Sequence, residues 1–460
     1  MKINKISNRR TFDDRAASKL GAGAVSRRAM LLGAGALVAG STGVLAQNPC
    51  GWADQIFGAP GCRTNVSEKR ERPVEVLNDL RPDATPWRSD TMIEQIEGAI
   101  RQYAQIVQRG GWAAIPGSRM LRPGDDDERV VALRRRLIAS GDLKPRGGGY
   151  DTSASFDEVL EVAVKRFQER HGLRVTGRAD QPTIAQLNIS ANARLEQLKL
   201  NQRRIRELLQ GRIEDRYVLV NAAAFQLEAV EGFEVRQRHR VIAGKPDRQT
   251  PTVKATIRAL NFFPYWRVPD SVATLDLFPR LTKEPDYLQK EFIRVLANNF
   301  NGPEIDPTNI DWRTAEATKI KFRQDPGPHN ALGLVRIDMP NSDGVYMHDT
   351  PMKPLFNQRS RAFSAGCVRV QDVFKLAEWI ARMEVGWDQP GRPDAVIAGG
   401  QALDLVLTRP VPVYFTYITA WAEADGRVEF RPDVYGRDGA KDLAGERDPD
   451  APPPPQSLTP

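Results

Sequence analysis

The sequence predicts an α+β multidomain protein, and three observations carry the prediction. At 460 residues the chain is long enough for two or three hydrophobic cores. Up to Leu209 apolar residues recur at helical spacing, and from Tyr217 the pattern turns to alternation rich in Val, Phe and Tyr. Between residues 270 and 340 a helical, loop-rich stretch interrupts the β pattern, which resumes near Leu334 and runs past Cys367. A hydrophobic content of 41% with 27% charged residues fits a soluble globular chain.

Residues 1–46 read as an export signal. Arg27-Arg28 precede a Gly/Ala-rich apolar run from Ala29 to Ala46, and Val44-Leu45-Ala46 offers the small-residue pattern of a cleavage site. The paired arginines point to the twin-arginine route and a periplasmic destination. A retained anchor is the alternative. The run is short for a span, however, and nothing later approaches about 20 apolar residues, so no stable membrane span is expected after cleavage. The segment also explains the charge. Of the net +8, eight Lys/Arg against two acids lie in 1–46, which leaves 58 basic and 56 acidic residues elsewhere. That balance gives no ground for nucleic-acid binding.

The cysteines follow from the compartment. Cys50 and Cys62 stand close together in "CGWADQIFGAPGC", where an oxidising environment makes a local bridge the plain expectation. Cys367 is then the odd thiol: buried filler, an intermolecular bridge or a reactive group.

Residues 47–121 begin as polar, Pro-containing sequence. "DTMIEQIEGAIRQYAQIVQRGG" then sets Met92, Ile96, Ile100, Tyr103 and Ile106 on one helix face, with Gly110-Gly111 as the stop. In 122–190, Val130, Leu133 and Leu137 mark a helix that Gly141 ends. Ser155 and Glu158 form a capping box for a second helix, which turns Phe156, Val159, Leu160, Ala163 and Phe167 inward. A short Pro-started helix follows two Gly turns. The run "LRPGDDDERVVALRRRL … VAVKRFQERHGLRVTGRADQPTIAQLN" resembles the small three-helix peptidoglycan-binding module found beside cell-wall enzymes. The resemblance implies attachment to wall glycan or peptide; a purely structural helical hairpin is the alternative.

Residues 191–215 read as a linking helix with Leu195, Leu198, Ile205 and Leu209 on one side. "YVLVNAAAFQLEAV" and "FEVRQRHRVIAG" read as strands. In the second, Glu234, Arg236, Arg238 and Arg240 share a face expected to be solvated, and His239 turns inward, outside any site. "DYLQKEFIRVLANNF" reads as a helix within an insertion at about 271–335, a lid over a site. Residues 438–460 read as a disordered Pro-rich tail.

The chemistry concentrates in "GVYMHDTPMKPLFNQRSRAFSAGCVRV". A cysteine nucleophile needs a base, room for a carbonyl and donors for the oxyanion. Gly366 gives room and a tight turn. His348, at the end of a strand-like run, is the base if the intervening loop closes. Arg369 shares a strand face with Cys367 and is placed to hold a substrate carboxylate or lower the thiol pKa. Spacing alone leaves an ordinary ion pair open for Arg369.

That segment resembles the active-site motif of the L,D-transpeptidases, in which a His precedes a Ser-x-Gly-Cys-x-Arg loop. "VIAGKPDRQTPTVKATIRALNFFPYWRVPDSV", "PGPHNALGLVRIDMPN" and "PVPVYFTYITAWAEADGRVEFRPDVYGRD" resemble the large multidomain branch of the same family. The resemblance implies a β-sandwich-like catalytic domain over 216–437. It implies that Cys367 attacks a peptidoglycan tetrapeptide stem at its third residue, expels D-alanine and passes the acyl group to an acceptor stem as a 3→3 cross-link. His348 would be the base, the N–H groups of Gly366 and Cys367 the oxyanion hole, and Arg369, Tyr346 and Ser364 the substrate pocket. It further implies a carbapenem adduct at Cys367 and a role in cell-wall biogenesis. Asp349 is expected to be structural, because adjacent strand residues face opposite ways. No cofactor or metal is expected: His171, His239 and His329 are scattered, and "RGGGY" at Arg146 is a flexible connector. An L,D-carboxypeptidase, a D-amino-acid exchange enzyme on the same acyl-enzyme, a catalytically spent wall-binding protein and a sortase-like enzyme remain as alternatives.

Overall fold

The computed structural model describes residue 80 and residues 84–145 and 152–439. The export signal at 1–46, the Cys50–Cys62 pair, the connector at Arg146 and nearly all of the 438–460 tail lie outside the described residues. Among the described residues no helix is long and apolar enough to cross a membrane.

Helix α1 (Asp90–Gln108) starts where the Ser89 side chain accepts the Met92 N–H at 3.1 Å, and it buries Met92, Ile96, Ala99 and Tyr103. Helices α2 (Glu128–Ala139), α3 (Glu158–Arg170) and α4 (Gln181–Leu187) begin at Asp127, Asp157 and Asp180 and share one core around Val130, Leu133, Leu160 and Phe167. The start of α3 departs from the sequence reading. Phe156 is tied in extended form, its N–H donating to Asp125 at 2.8 Å and its carbonyl accepting from Gly124 at 2.9 Å. The helix therefore begins after it, and Asp157, not Ser155, accepts the Leu160 N–H at 2.9 Å. The same shift turns Val164 inward and leaves Val159 exposed at 45%.

Helix α5 (Ala191–Leu208) does more than link. With α1 it forms a core against Tyr217, Leu219, Tyr414 and Trp421. The end of α3 docks onto the same region: Arg170 pairs with Asp142 at 2.5 Å and donates to the Val428 carbonyl, and Arg431 donates back to the Arg170 carbonyl. Asp438 sits inside this frame and not in a loose tail, since it pairs with Arg204 at 2.8 Å and accepts from Thr419.

Strands β1 (Arg216–Asn221), β2 (Gln226–Glu231), β3 (Glu234–Gly244) and β4 (Val253–Phe262) open the β domain. After β4 comes the insertion, with β5 (Trp266–Arg267), β6 (Ile293–Ala297) and β7 (Ile320–Gln324). The domain resumes with β8 (Val335–Asp338), β9 (Met347–His348), β10 (Ala362–Ser364), β11 (Val368–Val370), helix α6 (Val373–Ala381) and β12 (Leu403–Thr416). It ends in the hairpin β13 (Ala420–Ala422) and β14 (Val428–Phe430). The large sheet runs β10-β3-β11-β9-β8-β4-β12-β1-β2, and β2 also pairs with β3. The expected sandwich is thus one mixed sheet closed on itself. It encloses Val218, Ile257, Ile337, Met347, Val368 and Val413, together with Leu376 and Ile380 of α6.

Two local readings are corrected here. Arg238 is not on a solvated strip: it lies over the Trp87 ring at 4.6 Å and pairs at 3.2 Å with Glu228, itself fully buried and accepting the Trp87 N–H. The segment ahead of α1 therefore covers that strand face. His239 is buried as expected, its Nδ1–H donating to the Gln371 carbonyl at 2.8 Å. In the insertion, "DYLQKEFIRVLANNF" is helical only over Tyr287–Lys290; Ile293–Ala297 is a strand paired with β7. A single helical turn is costly to nucleate, and β-branched Ile293 and Val295 gain more by pairing and burying their side chains. The insertion thus adds a three-stranded sheet, β5-β7-β6, to its helical turns, with a core of its own.

The turn after β3 packs backbone on backbone. A Cβ on Gly244 would stand 2.1 Å from the Arg248 carbonyl oxygen and 2.7 Å from the Thr250 nitrogen. Gly244→Ala should lower stability by about 2–3 kcal/mol in a urea unfolding experiment. An unchanged midpoint would mean that the turn yields at little cost.

Candidate active site

The site is built by the two-residue period of three short strands. Val335, Ile337, Met347, Val368 and Val370 point into the closed core. The residues between them must face the other way. Register then sets Arg336 of β8 opposite His348 of β9, and His348 opposite Arg369 of β11. Tyr346 lies just ahead of β9, and Cys367 just ahead of β11. Tyr346, Phe363, Ala365 and Met352 also pack against the insertion core, so the insertion forms one wall of the site.

The loop carrying Cys367 is held from two sides. Gly366 has φ +120°, a conformation that a side chain would strain. Its carbonyl accepts from Thr250 Oγ1 at 2.8 Å, and Thr250 Oγ1 in turn accepts the Gly244 N–H at 2.9 Å. Tyr435 closes the chain by donating its hydroxyl to the Gly244 carbonyl at 2.8 Å. On the other side, Ser364 donates to the Cys367 carbonyl at 2.5 Å and accepts the Gly366 N–H at 3.2 Å. Ser364 is buried, and its hydroxyl is engaged within the loop, where it shapes the turn. The Gly366 N–H expected at the oxyanion is engaged by Ser364.

His348 is buried, and its Nδ1–H donates to the Asp349 carbonyl at 2.5 Å. Burial first, then the Arg369 charge, hold its pKa down at about 3, against hydrogen bonding to the Asp349 and Leu332 carbonyls. Cys367 is half-buried and free. Burial pushes its thiol up to about 11, opposed by hydrogen bonds from Tyr346 and by the Arg336 and Arg369 charges. Both groups therefore rest neutral. The Tyr346 ring meets the His348 ring edge-on at 5.7 Å, and burial raises its own pKa, with the neighbouring thiol as the next cause. The Asp349 carboxylate is used elsewhere: it accepts the Leu334 N–H at 3.0 Å and pairs with Lys353. Only its carbonyl orients His348.

Sequence reasoning gathered Cys367, His348, Tyr346 and Arg369, and the structure brings these four together. It missed Thr250, Trp266 and Arg336. Trp266 hydrogen-bonds Tyr346 from the insertion side. Arg336 was legible in principle: "LVRIDM" alternates Val335, Ile337 and Met339 with Arg336 and Asp338, in the strand before His348.

Residues 215–411 match the family model of the L,D-transpeptidase catalytic domain, and residues 126–187 match that of the "Putative peptidoglycan binding domain". A curated protein of Haemophilus influenzae, "Putative L,D-transpeptidase", is 32% identical over 266 residues, covering 57% of this chain and 51% of that protein. The chain thus spans about half the length of the curated relative it matches. Among solved structures, the Ldtfm-avibactam carbamoyl enzyme is 13% identical, with 44% of this chain and 49% of that one covered, at a TM-score of 0.21. The L,D-transpeptidase from Mycobacterium smegmatis is 14% identical, with 44% and 58% covered, at 0.22. The chain is therefore similar to the L,D-transpeptidase catalytic-domain family over residues 215–411 and to the peptidoglycan-binding family over residues 126–187.

Proposed function

We propose that the chain is a periplasmic L,D-transpeptidase that joins peptidoglycan stems 3→3 through a thioester on Cys367. The observation that supports this most is the row of His348 and Arg369 beside Cys367 on one sheet face, within a domain that matches the family. With Nδ1–H held by Asp349, Nε2 of His348 is the nitrogen that takes the thiol proton. The sulfur attacks the carbonyl of the third stem residue, and the oxyanion forms against the Cys367 N–H. His348 then gives the proton to the departing D-alanine amine. The acceptor's side-chain amine attacks the thioester, loses a proton to His348, and the thiol is restored. The bond energy of the broken peptide is kept in the thioester, so the reaction needs no nucleotide. Burial first, and then the Arg369 charge beside it, keep the imidazole neutral at rest, so that Nε2 carries no proton before the thiol is engaged. The module at 126–187 would hold the wall nearby, and the twin-arginine signal would deliver the protein there.

Incubated with disaccharide-tetrapeptides, the protein should release D-alanine and yield cross-linked dimers, read by mass spectrometry. Cys367→Ala should lower that rate by at least about a thousandfold. Undiminished turnover by the variant would sink the assignment. Products ending in free tripeptide would point instead to water as acceptor.

The resting protonation gives a second expectation. A thiol held near pKa 11 is neutral at physiological pH, and the thiolate fraction grows as pH rises. Alkylation of Cys367 by iodoacetamide should therefore climb about tenfold per pH unit from about pH 7 to about pH 10. A rate already flat across that range would mean a preformed thiolate–imidazolium pair.

A further inference from the structure

Arg369 is the arginine that the motif offers for a substrate carboxylate, but it lies only 2% exposed beneath the site. Arg336 stands on the opposite flank of His348, one strand over, and is half-buried with an open side. Its Nε donates to Asn261 Oδ1 at 3.1 Å and its Nη2 to Asp338 Oδ1 at 2.9 Å. These two bonds fix the plane of the guanidinium. No described residue takes the Nη1 N–H groups. The guanidinium carbon lies 5.5 Å from the centre of the Tyr346 ring, and the Tyr346 hydroxyl donates to the Cys367 sulfur. Arg336 therefore borders the place where a bound acyl carbonyl must sit.

We propose that Arg336 binds the carboxylate of the donor's leaving residue, so that the site cuts only one residue from a free C-terminus. The inference rests on the acyl-transfer reading above. The chemistry of the donor supplies the fit. In a stem that ends one residue after the scissile carbonyl, the terminal carboxylate is three bonds from that carbonyl carbon. A guanidinium beside the nucleophile meets it without any change of backbone. A planar, pre-oriented fork in a half-buried position is the arrangement that favours a carboxylate over a neutral amide. Asp338 does not cancel the site, because it occupies Nη2 and leaves the Nη1 corner. Longer peptides carry an amide in place of the carboxylate at this point and leave the Nη1 corner without an anion. The roles of the two arginines are then divided: Arg369 acts through His348, and Arg336 touches the substrate.

Two measurements on the full chain test this. The first uses no stem peptide. Iodoacetate and iodoacetamide both consume the Cys367 thiolate, forming the S–C bond and releasing iodide, but only iodoacetate brings a carboxylate. Their rate ratio removes any change in the thiol's own ionisation. Arg336→Gln should lower the iodoacetate-to-iodoacetamide ratio roughly three- to tenfold, and Arg336→Lys should restore part of it. An unchanged ratio in Arg336→Gln overturns the proposal. The second compares a tetrapeptide donor as free acid with its C-terminal amide. Wild type should prefer the acid, and Arg336→Gln should raise KM for the acid about ten- to a hundredfold more than KM for the amide. Equal losses on acid and amide would make Arg336 a structural residue and overturn the proposal. If wild type turned over neither donor, the transpeptidase reading would fail, and the alkylation ratio would still decide whether Arg336 binds a carboxylate.

Discussion

The site depends on one constraint, the strict alternation of faces along β8, β9 and β11. Each strand is only two to four residues long. What fixes them is the burial of Val335, Ile337, Met347, Val368 and Val370 in the closed core. A slip of one residue would drive those five side chains out and the charged row in. At about 1.5–3 kcal/mol for each large apolar side chain, such a slip is prohibitive. Hydrophobic burial on one face thus positions Arg336, His348 and Arg369 on the other. No hydrogen bond between the functional side chains is needed to set their order across the sheet.

The same geometry dictates the electrostatics. Removing water around Cys367 and His348 disfavours the charged form of each, which raises the thiol and lowers the imidazole. Arg336 and Arg369 both favour the thiolate, while Arg369 also disfavours the imidazolium, so Arg369 widens the gap on the His side as the two narrow it on the Cys side. The result is a neutral pair. Under the proposed periplasmic destination this has a consequence. Oxidation and disulfide exchange proceed through the thiolate, so a neutral thiol is protected until a base is brought to act. Under that proposal, the burial that makes Cys367 depend on His348 is also what protects it from oxidation.

Much of this was legible in the sequence, and the gaps have physical causes. Helix α1 was readable because its apolar period and its Gly110-Gly111 stop agree. The start of α3 was not, because Phe156 is held extended by backbone bonds to Gly124 and Asp125, partners thirty residues away in sequence. Ile293–Ala297 was taken for helix because a short apolar run reads either way until its partner is known. That partner, β7, lies across an intervening loop. At the site, residue types named Cys367 and His348, and the strand period allowed Arg369. The loop bonds of Ser364 were not legible, since nothing in the sequence shows where a serine hydroxyl beside a cysteine is directed. Arg336 lies outside that motif, on the strand before it, and only the β8–β9 register brings it beside His348.

The insertion is the part whose meaning changed most. Read as a helical lid, it would be an add-on over a finished site. Its core instead shares Tyr346, Phe363, Ala365 and Met352 with the catalytic face, and Trp266 reaches Tyr346 from the insertion side. Arg248, in the same turn as Thr250, pairs with Asp276 in the insertion. The turn that holds Gly366 is therefore fastened to the insertion as well as to the sheet. A displacement of the insertion away from the sheet breaks the Arg248–Asp276 pair or carries that turn with it. Either way it bears on the Thr250 bond to Gly366, and so on where the Cys367 N–H points. The wall of the site and the orientation of the Cys367 N–H thus share one support, the turn that Thr250 and Arg248 hold in common.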